Sequence, residues 1–491
     1  MLPPRALPGF PISEAFGEMR SGNYHRALAL LHNVEAPGCA LMRARAWFRL
    51  GRHDRAAAEC TRRDPSCYDA HEAIQLLELL AASLADQNEI ARAYDILEAA
   101  KQLAACSGNP LLAAHAAKSE AIVAFVAEDF PGSRAALAYA LEALAGLAYV
   151  KPQKDYHVEP IVLRAKLHDL EGWHHALRGD LAAQEECLLA SVAGAADPRN
   201  PDRITEGRLL SNLASYVYRR PSLPGHAYLL ARAATFPWSA HTDVVETRIR
   251  CALENSHRLF GYGQGPANIG GRSAPSLSLR LTDCVTALLL DTWQSRERFI
   301  EECRFSVSMA FEINAAENSG TEVLDILQLA CTIAPFDVTL ARRVRDMFAA
   351  RRAAVSKFHL VMHAPSVAAQ LHFADGCIAK AGGNLREAME QFGASLESAP
   401  VGYGDYLGAI VGLERYSVTR RQPDLSRARA FVATFPKSAF TARLREALAG
   451  AEYCGPGDFP YLGLYGVAGI GRGRGSAAAA LTPHIRADRT A

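Results

Sequence analysis

Apolar and polar positions alternate with a helical period along most of the chain. Leu76, Leu77, Leu79, Leu80 and Leu84 fall on one face of a helix, and after Asp86, Gln87 and Asn88 a second apolar set follows at Ile90, Ala93, Ile96 and Leu97. This pattern predicts a helical hairpin. Alanine and leucine dominate nearly every long segment while β-branched alternation is scarce, so propensity and period both predict helix with little strand. One hairpin is too thin to bury its own apolar face; stacking on neighbours is the physical route to a continuous core. The expected fold class is therefore all-α, an α-solenoid of stacked helical hairpins.

An internal repeat sharpens this expectation, and its fullest copy runs from Ala369 to Pro400. It contains Gly376, Ala379, the run Gly383-Asn384-Leu385-Arg386-Glu387-Ala388, Phe392 and the closing Pro400. Each choice has a steric cause: Gly and Ala permit close helix approach, Phe fills the space between hairpins, and Pro stops the second helix. At Gly383 the turn is expected to need a small residue between packed helices. Shorter copies stand at Gly22-Asn23-Tyr24-His25-Arg26-Ala27, Gly51-Arg52-His53-Asp54-Arg55-Ala56, Asn88-Glu89-Ile90-Ala91-Arg92-Ala93, Glu128-Asp129-Phe130 and Gly179-Asp180-Leu181, the last preceded by Gly172. Their starts lie 29, 37, 40 and 51 residues apart, a loose period with room for insertions.

These spacings resemble the tetratricopeptide repeat, over most of residues 14 to 200 and 365 to 436. The resemblance implies a TPR-like α-solenoid whose first helices face a concave groove where partners bind. Carried onto this chain, the groove positions are Arg45, Phe48 and Arg49 in the hairpin that turns at Gly51, and Lys166, Asp169 and Trp173 in the one that turns at Gly179. Lys118 and Lys380 fall on similar positions. An exposed Trp or Arg is the usual anchor type at interfaces, whereas a register slip of one residue would bury Trp173. The partner implied is a protein segment or a small effector in the concave face.

Composition divides the chain into an N-terminal helical-repeat region over 1–260, a Gly/Pro/Ser-rich interruption over 261–276, a C-terminal helical-repeat region over 277–451, and a tail over 452–491. The tail, which includes Gly469-Ile470-Gly471-Arg472-Gly473-Arg474-Gly475, is expected to be disordered. It reads either as an ordinary flexible tail or as the out-of-frame product of GC-rich DNA. Arg427-Ala428-Arg429-Ala430-Phe431 and Arg443-Leu444-Arg445-Glu446-Ala447 resemble the final repeat helices of large bacterial LuxR-type transcription regulators. That resemblance implies the regulatory or sensor part of such a regulator, with nucleic acid as a partner only where a DNA-binding domain is supplied elsewhere. A general interaction scaffold without a transcriptional role is the alternative.

The overall balance is that of a globular protein, with 49% hydrophobic and 21% charged residues over 491 positions. With 53 basic against 52 acidic residues the net charge is +1, so no bulk field draws the chain to nucleic acid or an anionic membrane. No stretch has secretory or membrane-spanning character, so the chain is expected to be cytoplasmic with no membrane partner. The 11 cysteines are scattered without any two-residue gap, and most are expected to be small apolar core residues.

Catalytic signatures are lacking. No Gly-Lys-Ser/Thr element is present, the glycines after Gly469 place Arg474 where a dinucleotide fingerprint needs its third glycine, and His71-Glu72 is followed by Gln75 where a zincin needs histidine. The chain is expected to be a non-enzyme with no cofactor and no metal. The opposing reading is a metal-dependent enzyme using His359 and His363, four residues apart, with His372 or Cys377 on the next helix. His168 and His175 map onto packing positions. Arg342, Arg343, Arg345, Arg351, Arg352 and Lys357, interrupted by Met347 and Phe348, predict an amphipathic helix with a cationic side, either a solvated face or a contact for nucleic acid or an acidic partner. Only 8 of the 53 basic residues are lysine, so arginine enrichment reflects GC-rich coding and adds no recognition signal.

Overall fold

The computed structural model describes residues 10–20, 23–147, 160–178, 180–197, 296–316, 323–354, 365–398 and 406–433, with shorter pieces within 205–213, 280–288 and 442–449. Every regular element among the described residues is helical. The N-terminal part contains α1 (Phe10–Arg20), α2 (Tyr24–Leu31), α3 (Pro37–Arg49), α4 (His53–Cys60), a 3-10 turn (Pro65–Cys67), α5 (Ala70–Asp86), α6 (Ile90–Ser107), α7 (Pro110–Val126), α8 (Phe130–Ala145), α9 (Pro160–Leu177) and α10 (Leu181–Ala195). The C-terminal part contains α11 (Arg296–Ala316), α12 (Val323–Ile333), α13 (Val338–Ala354), α14 (Pro365–Ala381), α15 (Leu385–Ser398), α16 (Tyr406–Thr419) and α17 (Gln422–Ala433). The all-α reading holds for these residues. The 261–276 interruption and the 452–491 tail lie outside the described residues.

Consecutive helices pair as hairpins, and the pairs then pack in chain order. In the N-terminal part the second helix of each hairpin meets the first helix of the next (α2 with α3, α4 with α5, α6 with α7, α8 with α9), while first helices also meet each other (α1 with α3, α3 with α5, α5 with α7, α7 with α9). The C-terminal part repeats this order: α12 meets α14 and α14 meets α16, beside the hairpins α12/α13, α14/α15 and α16/α17.

The turns explain why the hairpins are alike. At six of them an amide donates to a carbonyl five residues back, the hydrogen bond that closes a Schellman motif: Asn23 to Glu18, Arg52 to Trp47, Glu89 to Leu84, Asp129 to Ala124, Asp180 to His175 and Asn384 to Ala379, over 2.8–3.0 Å. Eight residues before these amides stand small buried residues, Ala15, Ala44, Ala81, Ala121, Gly172 and Gly376. Four residues after them stand Ala27, Ala56, Ala93, Ser133, Gln184 and Ala388, and eight after them Leu31, Cys60, Leu97, Leu137, Leu188 and Phe392, all buried. Small residues thus set the helix separation and the larger ones fill the gap beyond it.

The residue before each turn amide takes a positive φ where it is described in that region: 72° at Gly51, 67° at Asn88, 63° at Glu128 and 81° at Gly383. This corrects the packing reason expected for Gly383. A Cβ there would meet nothing within 4 Å, so glycine is favoured for its left-handed backbone and not for lack of room. Helix starts are capped locally: Asp69 and Glu72 form a reciprocal capping box at α5, and the Asp129, Asp180 and Asn384 side chains accept amides at α8, α10 and α15.

Candidate binding face

The repeated geometry places particular side chains of successive first helices one above another. Eleven residues before the turn amide stand Glu78 on α5, Lys118 on α7 and Asp169 on α9; fourteen before it stand Gln75, His115 and Lys166. Neighbouring members of this column interact. Glu78 lies 3.5 Å from both Lys118 Nζ and His115 Nδ1, and Asn212 donates its side-chain amide to both Asp169 carboxylate oxygens at 3.0 and 3.2 Å. The Glu78 contacts tie α5 to α7.

Burial sharpens the electrostatics. Desolvation pushes the Glu78 carboxyl upward, but Lys118 and then His115 outweigh it, so the carboxylate is held well below its ordinary range. Burial lowers the His115 pKa against the pull of Glu78, with the Lys118 and Lys166 charges adding to the lowering. Gln75 is only 2% exposed, and neither its amide nitrogen nor its amide oxygen has a hydrogen-bond partner among the described residues. A buried amide left unsatisfied costs about 1–3 kcal/mol.

The predicted groove residues divide. Lys118, Lys166 and Asp169 belong to this column. Trp173, one turn beyond Asp169, is half-buried and packs against the core that includes Leu111, Leu167 and Leu170. On α3, Arg45 and Phe48 are half-buried and Arg49 is exposed; the Phe48 ring meets His53 edge-on with centroids 4.7 Å apart. Lys380 donates to Glu414 at 2.7 Å and to Ser417, linking α14 to α16. Compared with known proteins, the chain matches no protein-family model and no curated protein.

The basic stretch does not form one face. On α13, Arg342, Arg343 and Arg352 are exposed, Arg351 is buried, and Arg345 makes a two-point contact to Asp375 on α14 at 2.7 and 3.0 Å. Arg343 lies over the Phe311 ring, 5.5 Å from its centroid. His359 and His363 lie outside the described residues, as does Lys357. His372 pairs with Gln391 at 2.8 Å, and Cys377 is buried beside Cys331. Among the described cysteines, Cys39, Cys60, Cys303, Cys331 and Cys377 are buried, Cys187 and Cys284 are half-buried, and Cys67 and Cys106 are exposed. No helix among the described residues is long and apolar enough to cross a membrane.

Sequence reasoning found Lys118, Lys166 and Asp169 through the repeat register and missed Gln75, Glu78 and His115. The same register carried one hairpin earlier would have reached them.

Proposed function

We propose that this chain is a TPR-like α-solenoid acting as a non-catalytic binding scaffold, with the half-buried Lys118, Lys166 and Asp169 of the first-helix column as its partner-facing residues and the buried Gln75, Glu78 and His115 behind them as their support. The observation that carries the reading is a column of polar and charged side chains on the first helices that continues over three hairpins, in which the Gln75 amide has no hydrogen-bond partner among the described residues. The shared turns, small contact residues and stacking order support the repeat assignment. An extended protein segment or a small polar effector would meet the half-buried Lys118, Lys166 and Asp169 with complementary charge and hydrogen bonds. The regulatory or sensor part of a bacterial transcription regulator is the role this scaffold best fits, on the resemblance of residues 427 to 447; DNA contact would come from a domain supplied elsewhere.

Capture from the native host tests the reading. The paired variant Glu78→Gln with Lys118→Met removes both charges together and should lose the ligand or partner held by the wild type. Arg92→Ala, on the exposed side of α6, should retain it. Equal capture by all three proteins would remove the column from the binding surface. A strain deleted for the gene should show altered transcript levels if the regulatory role is correct.

A further inference from the structure

The α9/α10 hairpin carries a second polar cluster on the side of α9 away from Asp169. At Gly172 the two helices approach closely: a Cβ there would lie 3.5 Å from Cys187 Cβ and 3.6 Å from the Gln184 carbonyl oxygen. Glu171 and His175, four residues apart, share a face of α9 beside this contact. One donor atom from each of Glu171, His175 and Cys187 lies within 4.8 Å of the other two, and all three residues are half-buried. The equivalent positions of the preceding hairpin are Glu120, Ala124 and Ala136. The histidine and cysteine of the cluster are thus absent from the preceding hairpin, where alanines take their places.

We propose that Glu171, His175 and Cys187 form a binding site for a divalent transition-metal ion of the zinc class, clipping α9 to α10. A thiolate, an imidazole and a carboxylate are the sulfur, nitrogen and oxygen donors that zinc accepts together, and two anionic ligands neutralise a dication. Metal–ligand bonds of about 2.0–2.3 Å require the three donors to draw together by roughly 1 Å, a side-chain movement. His168 Nδ1 lies 3.2 Å from Glu171 Oε2 and holds that carboxylate from outside the three-donor cluster. Asp180 Oδ2 lies 3.5 Å from His175 Nδ1, in the outer surroundings of the site. Arg178 also approaches that nitrogen, at 3.0 Å.

Without metal, burial and the neighbouring Glu171 charge push the Cys187 thiol up to about 12. A hydrogen bond from His168 is the main cause holding the Glu171 carboxyl below its ordinary range. Metal binding replaces the thiol proton: the S–H bond is exchanged for a sulfur–metal bond and one proton leaves to solvent.

Anaerobic titration of the reduced full chain with cobalt(II) tests this directly. The expected result is a thiolate-to-cobalt charge-transfer band that saturates at one equivalent, releases a proton, and disappears when zinc is added. Cys187→Ser should abolish the band. His175→Gln, which keeps the thiol, should weaken binding at least tenfold with the helical circular dichroism intact, and it carries the test alone if the serine variant does not fold. No charge-transfer band in the wild type would overturn the proposal. A band unchanged in the variants would also overturn it, since the chain has 11 cysteines and another would then be the ligand.

Discussion

Gly376 on α14 faces Phe392 on α15 so closely that a Cβ on the glycine would fall 2.5 Å from Phe392 Cε1. The ring is fully buried and has no free end to swing away. Gly376→Ala should therefore destabilise the C-terminal part by about 1–3 kcal/mol, the range for overpacking a core. Chemical denaturation measures it. Gly376→Ala combined with Phe392→Leu should recover part of the loss, because the clash and the ring are one interaction.

Gly383 is different in kind. Its φ of 81° is the strain, with open space around the missing side chain. Gly383→Val should cost about 1–2 kcal/mol, the penalty for a left-handed conformation in a residue with a full Cβ. Gly383→Asn should cost clearly less, since Asn88 holds a φ of 67° at the corresponding turn. Equal melting temperatures for the two variants would contradict the conformational explanation.

These two glycines show what was legible in the sequence. The hairpin over residues 76 to 97 and the spacing from Gly376 to Phe392 could be read because apolar periodicity and turn residues are local signals. The reason for Gly383 could not, since a sequence shows that a glycine is present but not whether space or φ requires it. Gln75, Glu78 and His115 look like ordinary polar helix positions until the stacking of α5 on α7 buries them. Glu171, His175 and Cys187 converge only after the turn folds α10 back onto α9, and reading His168 and His175 as packing residues left the cysteine out.

The Glu78 to Lys118 pair should prove sensitive to one-sided change. Lys118→Met leaves a buried carboxylate without its cation and should cost about 3 kcal/mol or more, whereas the double variant with Glu78→Gln should be closer to the wild type. Thermal and urea unfolding of the single and double variants would show it. Additive losses would mean that the two side chains do not interact.

Acid should probe the same column. The folded-state pKa of Glu78 lies below the model-peptide value of 4.5, at about 2, so its charged form favours the folded chain. That contribution is complete above pH 4.5 and is lost progressively as pH falls toward 2. Its size is on the order of 3 kcal/mol as an upper bound. His115 acts at higher pH with the same sign: burial lowers its pKa from 6.5, so the unfolded chain takes up the proton first and stability falls as pH drops below that value. Urea unfolding at pH 7, 5, 4 and 3 should therefore show a steeper loss in the wild type than in Glu78→Gln below pH 4.5, and a shallower loss between pH 6.5 and 5 in His115→Gln than in the wild type. Other lowered carboxyls, such as Glu35 and Asp64, contribute to all three proteins alike, so the differences between curves isolate the column. Parallel curves would show that neither group changes its affinity for protons on folding, and the electrostatic account of the column would fail.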